Sequence, residues 1–108
     1  MIVVAGTATI KPGNLEEAVA QAPRMIAATE AETGCLSYRI YVHPMDRHTF
    51  FIFEEWETEE ALYLHFQTEH MKVFSDYLAR VLEGGMNIKR YEVKAVVPLR
   101  CTNDLLVS

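Results

Sequence analysis

Two histidines stand where predicted helices would turn them toward an apolar layer. His65 shares a helical stripe with Ala61 and Leu62, and His70 shares the next stripe with Phe74. Imidazole titrates close to neutral pH, so a histidine in a closed pocket can accept or release a proton there. The sequence also leaves open the interpretation that His65 is a hydrogen-bonded residue of the core.

A carboxylate and a phenol form the second candidate pair. Predicted strands at 35–43 and 49–57 flank a five-residue turn centred on Asp46, and antiparallel pairing about this turn places Tyr38 opposite Glu54. The same face would carry the apolar pairs Leu36–Trp56, Ile40–Ile52 and Val42–Phe50. Burial on such a face would raise the pKa of Glu54. The alternative is that Tyr38 and Glu54 make a structural hydrogen bond.

The sequence predicts no metal and no cofactor. His65 and His70 are five residues apart across a predicted helix break, which is a poor frame for a metal compared with H-x-x-x-H. Cys35 and Cys101 form no C-x-x-C pair, which excludes a zinc ribbon and a dithiol site. The acidic run at 54–60 lacks the spacing of a calcium loop, and the glycines make no phosphate-binding loop.

The elements that would position these residues occur in the order βαββαβ. Strands are predicted at 2–10, 35–43, 49–57 and 87–97. Asn14 is a candidate cap for a first helix that Pro23 should kink or break, and Thr58 and Thr68 are candidate caps for two later helical segments, the last of which stops at 84–85. This order is typical of a ferredoxin-like plait of the α+β class, with an antiparallel sheet and helices on one face.

Length and composition set the remaining expectations. The 108 residues fit one domain, at 1–97, followed by a tail at 98–108. Half of the residues are hydrophobic, and Phe50–Phe53 would bury both faces of its strand, so we expect a homodimer that packs sheet against sheet. A net charge of −5 disfavours nucleic acid and anionic membranes as partners. The short apolar start lacks a preceding basic residue, so we expect a cytoplasmic protein.

Several segments together resemble the antibiotic biosynthesis monooxygenase family, particularly its quinol monooxygenase branch. They are E-T-G-C-L-S-Y at 32–38, F-E-E-W at 53–56, A-L at 61–62, H-F-Q-T-E-H-M-K at 65–72 and M-N-I at 86–88. The resemblance covers about residues 1–97 and implies a dimeric α+β barrel with one pocket per subunit between sheet and helices. It also implies oxidation of a small aromatic substrate by molecular oxygen without metal, flavin or nicotinamide.

The resemblance also implies roles for single residues. Trp56 matches the family's pocket tryptophan and His65 its helical histidine, while Tyr38 and Glu54 match the tyrosine and carboxylate of the central hairpin. Ile52 and Leu62 stand where some members carry the asparagine and tyrosine that position aromatic polyketides, which disfavours a polyketide substrate.

We therefore expect a cofactor-independent monooxygenase that oxidises a quinol or related phenol. His65 is the expected base, Glu54 is the alternative base, and His70 is a candidate proton relay. The expected substrate-binding residues are Tyr38, Ile52, Trp56, His70 and Phe74. Three other functions remain open on the same fold: haem degradation, isomerisation or breakdown of a small carbonyl signal, and ligand binding without catalysis.

Overall fold

The computed structural model describes residues 1–99 as a four-stranded antiparallel sheet with three α-helices. The expected βαββαβ order is confirmed, and the sheet order is β2-β3-β1-β4. The elements are β1 (Ile2–Thr9), a 3-10 turn (Pro12–Asn14), α1 (Leu15–Glu30), β2 (Cys35–His43), β3 (Asp46–Trp56), α2 (Glu59–His65), α3 (Glu69–Val81) and β4 (Asn87–Glu92).

The register of the β2–β3 hairpin follows the prediction through its centre. Tyr38 pairs with Glu54, and the pairs Ile40–Ile52 and Val42–Phe50 are also observed. The predicted pair Leu36–Trp56 is wrong, because the register shifts between Cys35 and Ser37 and Trp56 pairs with Cys35 instead. The extra residue of this bulge turns Leu36 outward, where it is 51% exposed.

The hairpin turn is shorter than predicted. β3 begins at Asp46, which pairs with His43, so Pro44 and Met45 alone form the tip. The carboxylate of Asp46 accepts hydrogen bonds from the His48 backbone N–H and from a neighbouring threonine hydroxyl. These local bonds satisfy donors near the tip, so the strand can start three residues earlier than the pattern suggests.

The first helix departs from two expectations. α1 runs unbroken past Pro23, which is exposed, so the predicted early break is absent. Asn14 makes no side-chain capping bond among the described residues, because the chain enters α1 through the 3-10 turn. α1 buries Ala18, Met25 and Thr29 against the sheet and α3.

The two later helices begin as predicted, and the last one ends sooner than predicted. The hydroxyls of Thr58 and Thr68 accept the backbone N–H groups of Ala61 and Met71, so both caps are confirmed. α3 ends at Val81 because the backbone of the next residue, Leu82, is extended and forms a bridge with Ile10, just beyond β1.

β4 ends at Glu92, five residues before the predicted boundary. Of the predicted tail, residues 100–108 with Cys101 lie outside the described residues.

The two faces of β3 have different surroundings. Phe50, Ile52, Glu54 and Trp56 are buried on the face that packs against the helices. Phe51 and Phe53 point to the opposite face, where their rings stack with centroids 6.5 Å apart. Phe51 is 38% exposed there, and β3 carries apolar side chains on both of its faces, as expected. No described helix combines the length and apolarity needed to cross a bilayer.

Candidate functional site

A cavity of about 210 Å³ lies between the sheet and α3. Its walls are mostly apolar, and polar groups reach it from the β2–β3 hairpin and from α3. The lining residues are Tyr38, Ile52, Glu54, Met71, Phe74, Ser75, Leu78, Ala79, Leu82, Met86 and Ile88. For scale, an engineered apolar cavity of about 150 Å³ in another protein binds benzene. The volume therefore suits a ligand of one or two rings.

Glu54 is the ionisable group of the cavity wall. Its side chain is buried on the inner face of β3, and its Oε1 accepts a hydrogen bond of 3.0 Å from the Trp56 indole N–H. Burial raises the pKa of Glu54 from 4.5 to about 7; the Trp56 bond opposes this rise and the nearby charge of Glu32 adds to it. Near neutral pH this carboxyl group can therefore both accept and return a proton.

Tyr38 faces Glu54 across the hairpin and lines the same cavity. Burial, and then the charge of Glu54, raise the pKa of the Tyr38 phenol far above its ordinary value of 10.0. The phenol therefore stays protonated over the whole physiological range. It can donate a hydrogen bond to an oxygen atom of a ligand, but it cannot act as a base there.

His65 ends α2 and is only 1% exposed. Its ring lies 4.8 Å from the Trp56 ring and 6.0 Å from the Tyr38 ring, centroid to centroid, so it does point toward the predicted wall. It does not, however, line the cavity. Its Nδ1 lies 2.7 Å from a carboxylate oxygen of Glu32, and burial lowers the pKa of the imidazole despite that partner.

Glu32 is the residue of this region that the sequence pattern missed. The same carboxylate oxygen, Oε2, lies 2.7 Å from Nε2 of His70, so Glu32 joins both histidines. It sits in the connection between α1 and β2, more than thirty residues away along the chain. In the sequence, Glu32 stands out only as the first residue of the 32–38 segment, and no role was predicted for it.

The turn that carries Glu32 packs closely on α2. Gly34 has a φ of +86°, and a Cβ at this position would lie 2.5 Å from the Cβ of Ala61. Glu32 is fixed in this turn by its own backbone, because its N–H donates to Thr29 and its carbonyl accepts from Cys35. A glycine at position 34 thus lets the Glu32 turn approach the helix that ends in His65.

The predicted site residues fall into two neighbouring groups. Tyr38, Ile52, Glu54 and Phe74 line the cavity together. His65 and His70 belong instead to a cluster with Glu32, and Trp56 lies between the groups, bonded to Glu54 and in ring contact with His65. Sequence reasoning did not identify Met71 and Ser75, which α3 contributes to the lining beside Phe74.

The chain is similar to known proteins over most of its length. It is 35% identical to sll1783 of Synechocystis over 92 residues, 85% of this chain but only 63% of that relative. YcnE of Bacillus subtilis is 27% identical over 86% of this chain and 98% of that protein. The crystal structure of PA3566 from Pseudomonas aeruginosa, 30% identical, superposes with a TM-score of 0.78 and covers 87% of this chain and 94% of that one. A family model described as antibiotic biosynthesis monooxygenase matches residues 1–77, and the chain belongs to this family.

Proposed function

We propose that this chain oxidises a quinol or related phenol with molecular oxygen, without a cofactor, and that Glu54 is the catalytic base. One observation carries the proposal: a carboxyl group with a pKa of about 7 stands in the wall of an otherwise apolar cavity of one- or two-ring size. The sequence favours His65 as the base. The geometry supports Glu54 instead, because His65 lies outside the lining of the cavity and is paired with Glu32.

The reaction balances without an external reductant. Glu54 removes the phenol proton, and the phenolate gives one electron to O2, which leaves a phenoxyl radical and superoxide. These combine at a hydrogen-bearing ring carbon ortho or para to the phenolic oxygen, and Glu54 returns its proton to the resulting peroxide. Glu54 then takes the proton of that carbon as the O–O bond breaks, and the departing hydroxide accepts it. The products are a quinone and water.

The other residues of the cavity support this chemistry by position. Tyr38 can donate a hydrogen bond to a second substrate oxygen, and the side chains of Ile52 and Phe74 flank the space that a ring would occupy. The Trp56 N–H keeps the Glu54 carboxylate in place. Apolar walls favour electron transfer inside the cavity, because they keep water away from the radical pair and strengthen electrostatic control of the anion.

The experiment that tests the proposal measures oxygen uptake with a panel of hydroquinones, naphthols and catechols. We expect Glu54→Gln, which retains an oxygen to accept the Trp56 bond, to lower kcat/KM by on the order of 10²–10⁴, as for loss of a general base. For the wild-type enzyme, kcat/KM should rise with pH through the Glu54 pKa of about 7. Glu57→Gln, at an exposed position just beyond β3, is the matched control and should retain normal rates.

Two results would contradict this assignment. If His65→Gln abolishes oxygen uptake while Glu54→Gln does not, the base is His65. If substrate disappears without oxygen uptake, the reaction is not a monooxygenation.

We also propose that the chain works as a homodimer joined through the outer face of the sheet. The stacked pair Phe51 and Phe53 lies on that face, and the half-exposed rings of Tyr41 and Tyr91 extend the same surface. An aromatic patch of this kind is unusual on a monomer and typical of an interface. Pairing two such faces would cover both patches and leave each cavity on the helical side.

A further inference from the structure

We propose that Glu32, His65 and His70 bind one divalent transition-metal ion at a site separate from the cavity. The carboxylate oxygen of Glu32 lies 2.7 Å from a ring nitrogen of each histidine, and all three candidate ligand atoms lie within 4.8 Å of one another. None of the three residues lines the cavity. The geometry of this cluster therefore does not depend on which residue is the base, although the charge of Glu32 contributes to the raised pKa of Glu54.

The donor set indicates which ions would bind. Two imidazoles and one carboxylate are the protein ligands of a common type of zinc site, in which water fills the fourth position. Zinc–nitrogen and zinc–oxygen bonds of about 2.0–2.2 Å hold such ligands about 3.3 Å apart. The two nitrogen–oxygen separations of 2.7 Å are somewhat shorter than that value, so a small outward movement of the ligands would admit the ion. Nitrogen-rich donors favour Zn²⁺, Co²⁺ or Fe²⁺ over Mg²⁺ and Ca²⁺, which prefer all-oxygen ligands.

The backbone holds the three ligands in place from three different elements. His65 is the last residue of α2, and its carbonyl accepts the Thr68 hydroxyl at 2.7 Å. Thr68 in turn caps α3, of which His70 is the second residue, so one threonine fixes the spacing of the two histidines. Glu32 lies in the turn before β2, which packs closely on α2 because Gly34 has no side chain. Ligands held in this way need little reorganisation to close on an ion.

The cluster is also accessible from solvent on one side. His65 is buried, whereas the side chains of Glu32 and His70 are 14% and 28% exposed. An ion can therefore reach the ligands, and a water molecule can complete its coordination. A network of hydrogen bonds alone, with each histidine donating to Glu32, explains the same distances. The experiment has to separate these two cases.

The test uses the full chain, stripped with a chelator and dialysed against ZnCl2 or CoCl2. We expect about one equivalent of Zn²⁺ to bind, and Co²⁺ to give visible absorption bands of a low-coordinate nitrogen–oxygen site. Glu32→Gln retains a hydrogen-bond acceptor for the histidines but is a weak metal ligand, and His70→Ala removes a partly exposed ligand. Each should weaken zinc binding at least about tenfold. His43→Ala and His48→Ala, at the opposite end of the β2–β3 hairpin, should bind zinc normally.

Imidazole ¹⁵N NMR of the wild-type chain gives a readout that does not depend on any variant. Zinc should shift the ring signals of His65 and His70 and leave those of His43 and His48 unchanged. The proposal is overturned if the wild-type chain binds no zinc, if zinc shifts only the hairpin-tip histidines, or if Glu32→Gln binds zinc as tightly as the wild type. Any of these results assigns the cluster to hydrogen bonding alone. None of these results decides whether Glu54 is the base, because the loss of oxygen uptake in Glu54→Gln tests that assignment separately.

Discussion

Replacing the Glu54 carboxyl group by an amide should change how the stability of this protein depends on pH. Glu54 has a pKa of about 7 in the folded chain and 4.5 when exposed, because burial disfavours its charged form. A group whose pKa is raised by folding contributes stability below its unfolded pKa and loses that contribution as the pH rises through its folded pKa. Ionised Glu54 therefore weakens the fold above pH 7.

The size of the effect follows from the two pKa values. A difference of one pKa unit between the folded and unfolded chain corresponds to about 1.4 kcal/mol. Ionisation of Glu54 should therefore lower the free energy of unfolding by roughly 3 kcal/mol between low pH, where the group is protonated in both states, and high pH, where it is ionised in both. Most of that change in the free energy of unfolding, roughly 2–3 kcal/mol, falls between pH 5 and pH 8. The amide that replaces the carboxyl group would be neutral at every pH and would retain an acceptor for the Trp56 N–H. Glu54→Gln should therefore be more stable than the wild type at pH 8, and the advantage should shrink toward pH 5.

The measurement is urea unfolding of both proteins at several pH values, at one fixed protein concentration so that association does not alter the comparison. All other titrating groups are common to the two proteins and cancel in the difference. Glu57→Gln, which neutralises an exposed acid nearby, should keep the wild-type dependence. A stability difference between Glu54→Gln and the wild type that is flat from pH 5 to pH 8 would refute the raised pKa, and the proposed base would lose its physical basis.

Two further predictions concern the fold and its assembly. Gly34→Ala should lower the free energy of unfolding in urea by about 2–4 kcal/mol, because it combines a positive φ with a Cβ contact of 2.5 Å. Gly84→Ala is the control: its φ is +78° but the space around it is open, so the loss of stability should be smaller. Equal losses for the two variants would contradict the close packing of Gly34 on α2. Light scattering at micromolar concentration should give about twice 12.3 kDa for the wild type and a lower mass for Phe51→Asp, whereas a wild-type monomer across that range would exclude the sheet-to-sheet dimer.

The sequence predicts the cavity wall better than it predicts the cluster beside it. The alternation of β3 fixes its buried face, and pairing about a hairpin turn is local, so Tyr38 opposite Glu54 could be deduced from spacing. The shortened turn did not disturb this register, because the irregularity between Val42 and His43 absorbed the difference. The bulge at Leu36 could not be deduced, since it depends on how the chain leaves the Gly34 turn.

Local sequence patterns could not predict that Glu32 contacts both His65 and His70. Spacing rules describe neighbours on one helix or one hairpin, and the two histidines were compared only with each other. Their shared partner arrives from a turn that packs on α2 through the close approach of Gly34 to Ala61. This contact is a tertiary one, which spacing along the chain does not reveal. His65 therefore looks unpaired in the sequence, whereas in the fold a carboxylate oxygen of Glu32 lies 2.7 Å from its ring.

Trp56 lies between the Glu54 carboxyl group of the cavity wall and the cluster of Glu32, His65 and His70. Its indole N–H donates to Glu54 while its ring packs on His65, and an indole nitrogen can donate a hydrogen bond but cannot accept one. The bond to Trp56 therefore gives Glu54 no route for passing its proton toward His65 and the Glu32 cluster. A base in this position exchanges its proton with the bound substrate. The hydroxide released at the end of the proposed reaction accepts the last proton from Glu54 and so regenerates its carboxylate. This arrangement suits a reaction in which the proton taken from the substrate is returned within the same cavity.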